Sequence, residues 1–221
     1  MKKGLVGNLF NVNLHRAQFW IGLLTSHCFH SKRISQKTDQ RVPENIPRGE
    51  DDADGSWGVG VLVQANFGRR HQMVVNGVPV GREILDLLPE RGSRTRVPTG
   101  NSLLVVIATD APLMPVQLQR LCMRAALGMG RTGAVSTHGS GDLVIAFSTG
   151  NEVGPAAAES LQVVSPSRMS WLHTGVVEAT EEAILNSLTA ATTMVGRDGN
   201  TIHALPLDQL QDVMYSYSRL D

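Results

Sequence analysis

Ser102 follows Pro98, Gly100 and Asn101 and directly precedes the apolar run Leu103-Leu104-Val105-Val106-Ile107-Ala108. That run has the length and β-branched content of a buried strand. The proline and glycine mark a bend ahead of it, and Gly and Asn tolerate backbone angles that other residues avoid. A hydroxyl held at the mouth of a buried strand, behind such a bend, suits attack on the carbonyl of the residue before it. The attack would convert the Asn101–Ser102 peptide to an ester, which water would then cut. The α-amine released on Ser102 has a reference pKa of about 8. A useful fraction of it is neutral near physiological pH and can accept the proton of its own hydroxyl. A serine at a strand start is also common for no chemical reason, and the residue by itself leaves that reading open.

A second polar group sits at Gly139-Ser140-Gly141-Asp142, just ahead of another buried-strand candidate, Leu143-Val144-Ile145-Ala146-Phe147. Residues two apart on an extended segment face the same way, so a hydroxyl and a carboxylate can point together at one site. The competing reading is a glycine-rich turn whose Ser or Asp bonds its own backbone. Asn66 lies at the end of a third strand candidate, Gly58 to Gln64, and precedes Gly68. Alone, it reads equally well as a strand-end asparagine in a turn.

Other groupings carry less. Gly128-Met129-Gly130-Arg131-Thr132-Gly133 lacks the Gly-Lys-Ser/Thr ending of a phosphate loop. The seven histidines show no metal-ligand spacing, and Cys28 and Cys122 form no CxxC pair. No metal and no cofactor are expected. Twenty basic residues balance twenty acidic ones, which argues against nucleic acid or an anionic membrane as partner. The apolar stretch 17–24 is too short to span a bilayer, and polar residues interrupt any leader-like core before it. The chain is expected to be soluble and cytoplasmic.

The elements that must hold these residues read as a layered α/β or α+β domain. Met73-Val74-Val75 is expected to be a short strand turned at Asn76-Gly77. Gly81 to Thr99 reads as a polar connector. Helices are expected over Pro112 to Leu127, ended by Gly128, and over Val176 to Met194, with Thr180, Glu181 and Glu182 at its start. A last helix follows Pro206. Residues 1–54 hold no long apolar period and read as a loosely ordered segment, with the folded domain over 55–221.

Several motifs in order give a specific likeness. These are Gly100-Asn101-Ser102 with Leu104 through Leu113, Arg131-Thr132-Gly133, His138 through Asp142, Ile145 through Thr149, Glu178 through Asn186, and Gly196-Arg197-Asp198-Gly199. Together they resemble the L-aminopeptidase/D-esterase family of self-processing serine aminopeptidases, which includes D-aminopeptidases and β-peptidyl aminopeptidases. The likeness runs from about Gly58 to the C-terminus. Members usually carry a longer amino-terminal portion, expected to be absent or replaced in this chain.

The resemblance implies an αββα sandwich, two stacked sheets between helical layers. It implies autocleavage between Asn101 and Ser102, giving an α-chain to residue 101 and a β-chain from 102 to 221. Ser102 would be the nucleophile and Ser140 a proton relay. Asp142 would hold a cationic α-amine, and Asn66 would donate to the oxyanion. The substrate would be a short peptide, amino-acid amide or ester, and the assembly a homo-oligomer. Two alternatives stay open: a non-catalytic fragment or interaction protein of the same fold, and a related acyltransferase of the ornithine acetyltransferase type. The latter use threonine, against which Ser102 argues.

Overall fold

The structure, a computed structural model, describes residues 27–34, 57–88, 102–151, 160–196 and 199–220. Four strands form one sheet in the order β1-β2-β3-β4: β1 (His27–Ile34), β2 (Trp57–Asn66), β3 (Ser102–Thr109) and β4 (Leu143–Ser148). β1 and β2 are antiparallel, as are β2 and β3; β4 runs parallel to β3. That parallel step needs a crossover, which α2 (Pro115–Arg131) supplies. α3 (Met169–Ala190) lies beside α2 on the same side of the sheet.

Strand alternation decides what this sheet buries. Val59, Val61 and Val63 of β2 and Leu103, Val105 and Ile107 of β3 point to one face, at most 1% exposed. They pack on Leu121, Ala125 and Met129 of α2 and on Leu172, Val176, Ala179, Ala183 and Ile184 of α3. The opposite face is also apolar, yet open. Leu104 is 41% exposed, Leu143 and Ile145 53% each, and Phe147 40%. Register places these side by side, Leu104 with Leu143, Val106 with Ile145 and Ala108 with Phe147. The described residues thus form one helical layer on one sheet, and no second sheet among them covers the outer face.

A smaller cluster joins Val78, Val80 and Ile84 to Met214. It links α1 (Val80–Glu83) to α4 (Leu207–Ser216), the helix expected after Pro206. A two-stranded ladder, β5 (Met194–Val195) with β6 (Thr201–Ile202), lies ahead of α4.

Several sequence expectations are corrected here. Residues 27–34, read as part of a loosely ordered segment, form an edge strand paired with β2. The hairpin at Asn76-Gly77 shrinks to a single bridge between Val75 and Val78. Both turn residues take the left-handed backbone such a turn needs, φ 46° and 79°, but Met73 and Val74, expected in the strand, lie in irregular chain after a 3-10 turn over Arg70–Gln72. The polar connector opens with the short helix α1, and its residues 89–99 lie outside the described ones. α3 begins at Met169, well before Val176, because Met169, Leu172 and Val176 all bury against the sheet. Thr180 is therefore mid-helix and fully buried instead of near a cap.

Gly128 does not end α2. The helix passes through it and closes at Thr132. A Cβ at 128 would stand 2.5 Å from the carbonyl oxygen of Val177 and 2.8 Å from Thr180 Cβ. Gly128 is thus where α2 and α3 touch backbone to backbone, and that gain outweighs its poor helix propensity. Gly128→Ala should destabilise the fold by about 2 kcal/mol, within the usual overpacking range. Urea unfolding of the two proteins checks this, and equal midpoints would contradict the packing described.

Candidate active site

Ser102 is the first residue of β3 and pairs across the ladder with Asn66, the last residue of β2. Directly opposed residues of an antiparallel pair send their side chains to the same face. Both alternate with Leu103 and Ala65, so both belong to the open outer face, at the end of its apolar stripe. The expected Ser102–Asn66 juxtaposition is present. Asn101 lies outside the described residues.

The Gly139–Asp142 turn arrives beside Ser102 because β4 runs parallel to β3 and starts next to it. The backbone N–H of Gly141 donates to Ser102 Oγ at 3.1 Å. The Asp142 carboxylate accepts from the backbone N–H of Leu103 at 2.9 Å, the amide immediately after the candidate nucleophile. Ser140 Oγ donates to the same oxygen, Oδ1, at 2.8 Å. Ser140 and Asp142 thus act as a pair, as two residues on one side of an extended segment should. A carboxylate offers roughly four lone-pair positions. The Leu103 amide, Ser140 and a third donor, Ser136 at 2.8 Å to Oδ2, occupy three of them. The described residues thus leave one position without a donor. Burial pushes the Asp142 carboxyl up, but the bonds from Ser140, Ser136 and Leu103 outweigh it and hold the group below the ordinary carboxylate range.

The loop 132–141 that carries these groups is fixed from beneath. Gly133 has φ 92° and sits so close to the Gln72 carbonyl that a Cβ would overlap it, at 1.7 Å. Thr132 accepts from the Val74 amide at 3.1 Å, and Arg131 pairs with Glu181 of α3 at 3.1 Å. A cleft lined by Phe67, Arg69, Met129, Ser136, Ser140 and Asp142 among others adjoins this loop. Ser102 and Asn66 do not line it. The Ser102 hydroxyl belongs to the open sheet face, and the cleft meets this group of residues at Ser140 and Asp142.

Sequence reasoning passed over two contributors. Gly141 carries no side chain to signal a role, yet its N–H reaches the hydroxyl, and a Cβ there would come within 3.3 Å of Ser102 Oγ. Ser136 was not singled out at all; its signal is a hydroxyl in a non-glycine left-handed position, φ 42°, and that angle is invisible in a sequence. Asp110 accepts from the Gly58 amide at 2.6 Å and ties β2 to the end of β3. His138 is exposed and takes no shown part in the site. Among the described residues no cluster of His, Cys, Asp or Glu has the makings of a metal site, and no helix is long and apolar enough to cross a membrane.

Gly141→Ala tests the closeness of this contact. The N–H is kept and only a methyl is added, so the fold should hold while the rate of any reaction at Ser102 drops about tenfold, the scale of a small misplacement. An unchanged rate would show that the contact is loose.

A serine opens a strand and is backed by a hydroxyl–carboxylate pair in the turn ahead of the neighbouring parallel strand, a grouping chemically suited to acyl transfer to a serine. Comparison with solved structures agrees. The L-aminopeptidase D-Ala-esterase/amidase of Ochrobactrum anthropi, described as a prototype of the serine aminopeptidases and a variant of the Ntn hydrolase fold, superposes with a TM-score of 0.71 at 30% identity. The match covers 90% of this chain and 52% of that one. A Burkholderia β-aminopeptidase gives 0.66 at 30% identity, over 87% and 49%. The chain belongs to peptidase family S58, whose sequence profile matches residues 45–202. A β-peptidyl aminopeptidase, BapA of Sphingosinicella microcystinivorans, is 44% identical over 178 residues, 75% of this chain and 45% of that protein. The chain spans about half the length of the relatives it matches. The family membership and the α+β, Ntn-type fold expected from sequence are thereby established.

Proposed function

We propose that the chain carries the nucleophile half of a self-processing serine aminopeptidase, with Ser102 as the attacking residue. The observation that carries this is the double grip on one point of the backbone. Gly141 N–H holds Ser102 Oγ, and Asp142 holds the amide that follows. In the first step Ser102 Oγ bonds to the carbonyl carbon of Asn101 while the peptide C–N bond breaks. The nitrogen becomes the α-amine of Ser102, and water frees the Asn101 carboxyl. In turnover that amine takes the Ser102 hydroxyl proton, Oγ takes the substrate acyl group, and the amine product leaves with the proton. Water then releases the acid. Asn66, on the same face, is placed to donate to the oxyanion. Ser140 and Asp142 keep the new chain end in register, and the free lone pair of Asp142 can receive its ammonium.

The apolar outer face is where the second sheet of the expected sandwich would pack, and that sheet would form the other wall of the substrate site. The substrate would be the amino end of a short peptide, an amide or an ester. N-terminal β-amino acid amides are the first to assay, since one relative is named for them. A homo-oligomer in the cytoplasm is the accompanying proposal, with no nucleic-acid or membrane partner. The test is acyl-enzyme trapping with an activated β-amino acyl ester. Label should appear on a peptide that begins at Ser102. Label elsewhere, or none, would favour the reading as a non-catalytic fragment.

A further inference from the structure

Ser136 is exposed, lies six residues before Asp142, and holds a left-handed backbone, φ 42°, that costs a non-glycine residue energy. What it gains is one contact, the donation of its hydroxyl to Asp142 Oδ2 at 2.8 Å. Oδ1 is held from the other side by the Leu103 amide and Ser140. A carboxylate anchored at Oδ1 alone can still swing about its terminal torsion, which is broad and soft. Anchored at both oxygens it cannot.

We propose that Ser136 is a positioning residue, whose hydroxyl pins the far oxygen of Asp142 so that the near oxygen stays on the Leu103 amide and the Ser140 hydroxyl beside the reacting serine. Asp142, so held, keeps the start of β3 in one register before and after the chain is cut. This rests on the reading that Ser102 is the nucleophile, but it makes a separate claim about Asp142. The other charged side chain lining that cleft is Arg69, from the segment after β2; α2 contributes the uncharged Met129. Neither is altered in the test.

The full-length chain is prepared with Ser102→Ala, which keeps it uncut, and then with Ser136→Ala or Ser136→Gly added. Carbon-detected NMR follows the Asp142 carboxyl through an acid titration, and hydrogen exchange follows the Leu103 amide. Both added variants should raise the Asp142 midpoint, by about threefold or more in proton affinity, and speed Leu103 exchange by at least a similar factor. Glycine is the control, because it accepts the left-handed angle without strain yet lacks the hydroxyl. Equal effects of Ala and Gly assign the role to the hydroxyl. An effect of Ala alone assigns it to the backbone and overturns the proposal, as does no effect of either. Failure of the Ser102 reading shows elsewhere: chains with native Ser102 would stay uncut whatever stands at 136.

Discussion

Ser102→Ala should leave the protein as a single band on a denaturing gel, while the parent chain resolves into two. The side chain is half-buried at the start of β3 and replaces no core atom, so the variant should unfold within about 0.5 kcal/mol of the parent, as surface changes do. The chemistry should change far more. Removing a nucleophile costs up to about a millionfold in rate, since neither Gly141 nor Asp142 can attack a carbonyl in its place. Time courses read by gel give the rate directly. Two bands from the alanine variant would mean that the cut is made elsewhere or by a contaminating protease.

Asp142→Asn should give the second-largest effect, by a different route. Asparagine keeps the shape and an acceptor oxygen for Leu103 and Ser140. It loses the charge that makes such bonds roughly twice as strong as neutral ones, and the Ser136 hydroxyl must turn from donor to acceptor to meet its amide N–H. Processing should slow by about a hundredfold, the cost of weakening two charge-assisted bonds, and the thermal midpoint should fall modestly, since the same bonds stabilise the folded chain. Asp142→Ala should also destabilise, since it strips the Leu103 amide and two hydroxyls of their acceptor. The pH dependence follows from the lowered Asp142 pKa. A carboxylate depressed on folding contributes stability that is complete above its unfolded value of about 4. That contribution is lost as pH falls through the lowered folded value. Processing should therefore persist through mildly acid pH and fail only in strong acid. In Asp142→Asn this acid limb should vanish. A limb that survives in the asparagine variant would place the titrating group elsewhere.

The sequence showed the strands that carry the site because both are continuous apolar runs bounded by glycine, and strand alternation then fixed which side chains share a face. Ser140 and Asp142 were legible as a pair for the same reason. Their closeness to Ser102 depends on β4 lying parallel beside β3, with Leu104 paired to Leu143 and each later pair equally far apart in the chain, a pairing that local pattern cannot specify. Gly128 misled because a glycine late in a helix reads as a stop, whereas here it serves a helix crossing that only tertiary packing reveals. α3 misled in the opposite way: its first turns follow Pro166 and carry Gly175, both poor helix signals, and the packing of Met169 and Leu172 on the core overrides them. Ser136 was hidden because its role depends on a backbone angle. The outer face was hidden because alternation says which residues share a side, and nothing about what covers that side.

Intact-mass measurement of the purified full-length chain, held at neutral pH and sampled over days, addresses the central claim most directly. The account predicts a species whose first residue is Ser102, growing at the expense of the uncut chain and absent from the Ser102→Ala protein. A chain that stays whole throughout, or breaks at a bond other than the one before Ser102, would contradict it.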